Sequence, residues 1–97
     1  MSGSTRTSQG LDPRRRRALV RAWRRGTREM DLILGRFADA HIGALSDRDL
    51  ADLELLLDMP DQDVFDWITG ARPVATPYAS PLFRSIVAFH AQRHDPT

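Results

Sequence analysis

Residues 27–41 read TREMDLILGRFADAH, and the spacing of the apolar side chains in this stretch decides the fold class. The large apolar residues recur every three or four positions and lead to a histidine: Met30, Ile33, Leu34, Phe37 and His41. That interval places them on one face of an α-helix. A helix with one apolar face must bury it against a neighbour, so the stretch predicts a helical domain in which other helices cover this face.

Four further segments have the same helical character. They are residues 13–24, residues 46–57, residues 62–69 and a last helix that opens at Ser80 and Pro81. Gly26, Gly43 and Gly70 are predicted to make turns or end helices, because glycine adopts backbone conformations that other residues avoid. Gly35 lies inside the second helix, where it either weakens the helix or permits close helix packing. No stretch has the period-two pattern of a strand, so we predict an all-α fold, a compact bundle of five short helices.

The length of 97 residues is that of one domain. Residues 1–12 are rich in Ser, Thr and Gly, and we predict a disordered N-terminal tail, although a targeting remnant is an alternative. Residues 13–94 are predicted to form a single helical domain, and residues 95–97 a frayed C-terminus. No apolar run approaches the ~20 residues of a membrane span, and the absence of cysteine excludes disulfides and thiol chemistry.

Charge is distributed unevenly along the chain. Residues 1–28 contain nine Arg and one acidic residue, whereas residues 29–97 contain five Arg and twelve acidic residues, and the net charge is only +1. The run Arg14–Arg17 could neutralise phosphates, but no aromatic residues are interleaved for base stacking. We therefore predict a solvated helix face or a surface for an acidic protein partner, and no nucleic-acid partner.

Candidate catalytic and metal-binding residues do not form a complete set. His90 and His94 are spaced to share a metal on one helix face, but a third ligand is not apparent. Acidic pairs such as Asp61 and Asp63 stand at helix starts, where negative charge favours the helix dipole. Ser80 has no evident base. We predict no catalytic residue and no metal site.

Residues 25–29 read RGTRE at the turn between the first two helices. In a structural interpretation Gly26 makes the turn, Glu29 complements the helix dipole and Arg25 is solvated. In a functional interpretation, glycine leaves the backbone accessible, so that a corner flanked by opposite charges can enter a partner's cleft. The pattern by itself favours the structural interpretation.

These residues resemble the RGxxE signature of the succinate dehydrogenase assembly factor 2 family, also called FAD assembly factors. The similarity extends over about residues 14–92. It includes MDLILGRF at 30–37, LSD at 45–47, and a segment formed by Leu56, Leu57, Asp61, Asp63, Phe65, Trp67 and Ile68. RGxxE is a short string, but its order with these later elements in so short a chain is specific.

The resemblance implies a five-helix bundle and an assembly function. Family members bind the flavoprotein subunit of succinate dehydrogenase and promote a covalent bond between one of its histidines and the 8α-methyl carbon of FAD. The chain would then be a chaperone and not an enzyme. It would have no cofactor of its own and would act on FAD bound to the client flavoprotein. A fumarate reductase flavoprotein is a further candidate client.

The residues predicted to bind the partner are Arg25, Gly26, Arg28, Glu29, Asp31 and Phe65. Arg25 and Glu29 are expected to make charge-assisted hydrogen bonds to the client. Phe65 is either an outward aromatic anchor or part of the core. We expect a monomer in the bacterial cytoplasm, with the mitochondrial matrix as the other location. An antitoxin-like regulatory module and an Arg-rich nucleic-acid-binding module are the alternative functions.

Overall fold

Five α-helices account for most of the chain described by the computed structural model, which covers residues 10–93. They are α1 (Pro13–Trp23), α2 (Arg28–His41), α3 (Asp47–Leu57), α4 (Asp61–Thr69) and α5 (Pro81–Arg93). A 3₁₀ turn follows α2 at Ile42–Ala44, and another precedes α5 at Thr76–Tyr78. Residues 10–93 contain no β-strand, which confirms the predicted all-α fold with five helices.

Four of the helices are preceded by an N-cap residue whose side chain accepts a hydrogen bond from a backbone N–H of the first turn. The capping residues are Asp12, Thr27, Ser46 and Ser80. The start of α4 differs, because Pro60 stands at the cap position and makes no side-chain hydrogen bond there. Asp61, which the sequence places at the start of this helix, is the first helical residue, and its carboxylate is available for another contact.

Two of the three glycines predicted to end or separate helices have the expected backbone. Gly26 has φ +102° and Gly70 has φ +85°, both in the left-handed region. Gly43 lies within the 3₁₀ turn that follows α2 and does not have a positive φ, so α2 ends at His41 without a left-handed glycine. The 3₁₀ turn follows α2 directly. The Ile42 N–H donates a hydrogen bond to the Ala38 carbonyl, and the Ile42 side chain is buried in the core.

The apolar faces of all five helices meet in one core. α1 packs on α2 and α3, and α5 packs on α2, α3 and α4. The predicted apolar face of α2 is buried, and each of the other helices also buries apolar side chains: Leu19, Met30, Ile33, Leu34, Phe37, Leu50, Leu53, Leu57, Val64, Trp67, Ile68, Leu82 and Ile86. Among residues 10–93, no helix has both the length and the apolar character that crossing a bilayer requires.

The domain begins earlier than the predicted boundary at residue 13. The Leu11 side chain is buried in the core, and its carbonyl accepts a hydrogen bond from the Arg16 guanidinium. Residues 10–12 therefore belong to the folded unit, and Asp12 caps its first helix. The other predicted tail residues, 1–9, and residues 94–97 lie outside the described chain.

Gly35 of α2 lies directly against Trp23, the last residue of α1. A Cβ atom on Gly35 would lie 2.3 Å from Cδ2 of the Trp23 indole, well inside van der Waals contact. The indole N–H donates to Asp39 Oδ1 at 3.1 Å and so is held in place from the same helix, α2. Of the two interpretations left open by the sequence, close helix packing is therefore correct.

Candidate functional site

The elbow, defined as residues 25–29, joins the end of α1 to the first turn of α2. Gly26 is exposed, and a Cβ built on it would meet no heavy atom within 4 Å. The left-handed φ, and not crowding, is therefore the reason for glycine at this position. The Thr27 hydroxyl accepts a hydrogen bond from the Met30 N–H at 3.3 Å and starts α2 directly after the turn. The Gly26 backbone is accessible to another molecule.

The Arg25 side chain points into the molecule. Its Nε donates to Asp61 Oδ1 at 2.7 Å, and its two terminal nitrogens donate to the Leu57 and Met59 carbonyls. Only 9% of this side chain is exposed. The guanidinium therefore binds the elbow to the connection between α3 and α4. The expected hydrogen bond from Arg25 to a partner would require these internal bonds to break, and the alternative expectation of a solvated Arg25 is wrong.

Asp31 braces the elbow from the other side. Its Oδ1 accepts a hydrogen bond from the Arg25 backbone N–H at 2.7 Å, across the turn. The carboxylate lies in the first turn of α2, where it also complements the helix dipole. Arg25 and Asp31, both predicted to bind a partner, are thus engaged within the chain and fix the shape of the elbow.

Arg28 and Glu29 are the outward-facing residues of the elbow. Both are exposed, and neither has a hydrogen-bond or ion-pair partner within residues 10–93. They occupy the first turn of α2 and carry opposite charges. Among the charged residues of the RGTRE stretch, these two are available to another molecule without the loss of an internal contact.

Phe65 lies on α4, the helix to which Arg25 is bonded through Asp61. It is partly buried and packs against the edge of the core. Neither of the two alternatives, a fully outward anchor or a core residue, describes it alone. Its contribution to partner binding stays a prediction.

Three arginines of α1, namely Arg14, Arg15 and Arg21, are paired with carboxylates of the same chain. Arg14 bonds to Glu54 at 2.7 Å on α3, and Arg21 bonds to Asp58 at 2.6 Å just after α3. Arg15 bonds to Asp12 and also donates to the Ile42 and Leu45 carbonyls, in the connection between α2 and α3. The excess of positive charge in residues 1–28 and of negative charge beyond was the sequence signal for these contacts, and the sequence interpretation missed it.

Hydrogen bonding shifts the acidity of several of these paired groups. The Arg14 guanidinium hydrogen-bonds to Glu54 and lowers the pKa of that carboxyl below its ordinary value of 4.5. Hydrogen bonds from Arg15 likewise lower the pKa of Asp12. On α4, hydrogen bonds to Asp63 and Asp66 raise the pKa of Arg72. All of these shifts favour the charged forms, so the pairs are ionised at neutral pH.

The other candidate residues have structural roles. The His41 ring contacts Phe37 in a tilted arrangement and Phe89 edge-to-face, with ring centroids 4.8 and 5.4 Å apart. Ser80 caps α5, and the Ser85 hydroxyl donates to a backbone carbonyl of the same helix. His94 lies outside the described residues, and within residues 10–93 no cluster of three His, Cys, Asp or Glu is arranged to hold a metal.

The chain is a small helical bundle that braces an exposed turn carrying one positive and one negative charge. The chain belongs to the family described as flavinator of succinate dehydrogenase, whose sequence model matches residues 16–90. The family suggested by the RGTRE stretch and the later motifs is therefore confirmed.

Individual proteins similar to this chain include bacterial and mitochondrial assembly factors. The chain is 37% identical to the FAD assembly factor SdhE of Acetobacter pasteurianus over 86 residues. This aligned region is 89% of this chain and 79% of that protein. It is 39% identical over 64 residues to the mitochondrial succinate dehydrogenase assembly factor 2 of Meyerozyma guilliermondii, which covers 66% and 47% respectively. The mitochondrial factor of Dictyostelium discoideum is 33% identical over 86 residues, 89% of this chain. The chain spans 47% and 60% of the length of these two mitochondrial relatives. The comparison with solved structures finds no match.

Proposed function

We propose that this chain is an assembly factor that binds the flavoprotein subunit of succinate dehydrogenase and promotes covalent attachment of FAD to it. Family membership supports the proposal. So does the similarity to a bacterial FAD assembly factor, of which the chain spans 79%. The chain acts here as a chaperone with no cofactor of its own, and the FAD belongs to the client.

One observation carries the proposal, namely that the two charged ends of the RGxxE motif lie in different environments. Arg25 is held inside by Asp61 and two backbone carbonyls, whereas Glu29 is exposed and has no partner among residues 10–93. A carboxylate placed on a braced turn loses little conformational freedom when it binds another molecule. The motif thus combines an internal support with an external contact.

The elbow then acts as follows. The Gly26 backbone approaches the client closely, because no side chain stands in the way. Glu29 and Arg28 make charge-assisted hydrogen bonds to the client, and Arg25 and Asp31 keep them at a fixed spacing. Stronger binding to the attachment-competent arrangement of the client raises the population of that arrangement. The covalent chemistry belongs to the client and its flavin, while this chain supplies orientation.

We further propose that the chain binds its client as a monomer and in the cytoplasm of a bacterium. The internal pairing of α1 with α3 supports the monomer, because the opposite charges satisfy each other within one copy. The extent of similarity to the Acetobacter pasteurianus protein supports the bacterial setting. Light scattering of the purified chain, alone and with client, tests the stoichiometry.

Co-expression with a succinate dehydrogenase flavoprotein tests the function, with in-gel flavin fluorescence as the measure of attachment. Glu29→Gln should lower the rate of attachment about tenfold or more, since a hydrogen bond to a charged group contributes about 1.5–3 kcal/mol. Asp47→Asn is the control, because Asp47 is an exposed acid in the first turn of α3, with one long ion-pair contact of 3.8 Å to Arg15. Equal attachment with both variants would refute the role of the elbow. The same assay with a fumarate reductase flavoprotein tests it as a second client.

A further inference from the structure

The outer surface of α1 forms a shallow groove that runs to the elbow. Two adjoining depressions of about 440 and 460 Å³ make up this surface and share Val20 and Arg21. We call it the α1 groove; its lining residues are Arg16, Arg17, Val20, Arg21, Arg24 and Arg25 on the α1 side and Met59, Pro60 and Asp61 opposite. Because Arg25 belongs to both features, the α1 groove and the elbow are continuous.

The arginines of the α1 groove differ in whether their charge is already paired. Arg21 is paired with Asp58 and Arg25 with Asp61, whereas Arg16 donates to the neutral backbone carbonyl of Leu11. The remaining two, Arg17 and Arg24, are exposed and have no hydrogen-bond or ion-pair partner within residues 10–93. They are seven positions apart, about 10 Å along a helix at 1.5 Å per residue.

An exposed apolar side chain lies between these two cations. Val20 is 46% exposed, one of the large hydrophobic residues of the described chain that remain open to solvent. The aliphatic stems of the neighbouring arginines extend this apolar strip. A ligand that matches the surface has an apolar group between two negative charges.

Two carboxylates make the α1 groove a poor phosphate-binding surface. Asp61 lines the groove, and Asp58 stands beside it on Arg21, so both would repel a nucleic-acid backbone. Binding to nucleic acid favours a continuous row of unpaired cations, whereas here Arg21, which lies between Arg17 and Arg24 in the chain, and Arg25 are already paired with carboxylates. The chemistry therefore favours an acidic polypeptide segment over nucleic acid.

We propose that the α1 groove is a second contact surface for the client flavoprotein and receives an acidic segment of it. Two carboxylates of that segment bind Arg17 and Arg24, and an apolar side chain between them packs on Val20. The inference rests on the proposed function and deepens it, because it adds a charge-dependent contact beyond the elbow. Electrostatic attraction of this kind raises the association rate and is weakened by salt.

The test measures binding of the full chain to a purified succinate dehydrogenase flavoprotein by biolayer interferometry. Arg17→Glu and Arg24→Glu are compared with Arg84→Glu, which makes the same charge change at an exposed position of α5. At about 50 mM salt each groove variant should bind about tenfold more weakly, mainly through slower association, and the control within about twofold. At about 500 mM salt the difference should fall to about twofold or less, because screening shortens the range of the attraction. Val20→Ser should weaken binding about equally at both salt concentrations.

Each alternative result has a distinct meaning. Wild-type protein that binds the flavoprotein, with both groove variants equal to Arg84→Glu, would overturn this inference and leave the proposed function intact. Wild-type protein that does not bind the flavoprotein would overturn the proposed function and this inference with it. Salt-sensitive binding of the wild-type chain to a DNA duplex, lost in Arg17→Glu, would overturn the inference by assigning the groove to nucleic acid.

Discussion

Replacement of Arg25 by alanine should destabilise the protein before it affects any partner contact. The substitution removes the ion pair to Asp61 and the two hydrogen bonds to the Leu57 and Met59 carbonyls. It also detaches the elbow from the connection between α3 and α4. We therefore expect the free energy of unfolding to fall and the elbow to lose its fixed shape.

The magnitude follows from the environment of the guanidinium. Removal of one partner from a fully buried ion pair costs about 3–5 kcal/mol. Asp61 retains 28% side-chain exposure and can be partly rehydrated, so we expect about 2–4 kcal/mol for Arg25→Ala. For a domain of this size that is a decrease in Tm of about 10–25 °C. Arg25→Lys keeps the charge but loses the forked geometry, and should cost about 1–2 kcal/mol.

Urea unfolding followed by tryptophan fluorescence measures the loss, with Arg84→Ala as the control for removal of an exposed arginine. Client binding is then measured at a temperature where each variant is folded. If Arg25→Ala unfolded at the wild-type urea concentration but no longer supported flavin attachment, Arg25 would act on the partner. The assignment of Arg25 as an internal support would then be wrong.

Three further substitutions test other parts of the structure. Gly26→Ala should lower the free energy of unfolding by about 1–2 kcal/mol in urea titrations, because alanine resists the positive φ; an unchanged value would contradict the left-handed turn. Gly35→Ala should cost about 1–3 kcal/mol in the same assay, since overlap with Trp23 outweighs the gain in helix propensity; a more stable variant would show that the indole can move aside. Glu54→Gln should be less stable than wild type at neutral pH. The pKa of Glu54 is lower in the folded state, so this difference should shrink as the pH falls below 4.5, and a constant difference would argue against the pair with Arg14.

The local features of this protein were set by its sequence. The apolar spacing of residues 27–41, the capping residues and the glycine between α1 and α2 depend on interactions within a few positions, and all were predictable. The RGTRE stretch also identified the family. Gly43 differs from Gly26 and Gly70, because it lies in the 3₁₀ turn after α2 and has no positive φ.

The tertiary structure alone decided which motif residues face inward. Arg25 and Glu29 are four positions apart, and the sequence gives no reason to bury one charge and expose the other. Packing of α1 on α3 brings Asp61 and two carbonyls within hydrogen-bond distance of Arg25. Gly35 likewise acquires its role only when the Trp23 ring crosses it. Such contacts join residues 12 to 36 positions apart, and helix periodicity defines the face of a helix but not the side chains that meet it. The orientation of the elbow is therefore a property of the assembled bundle.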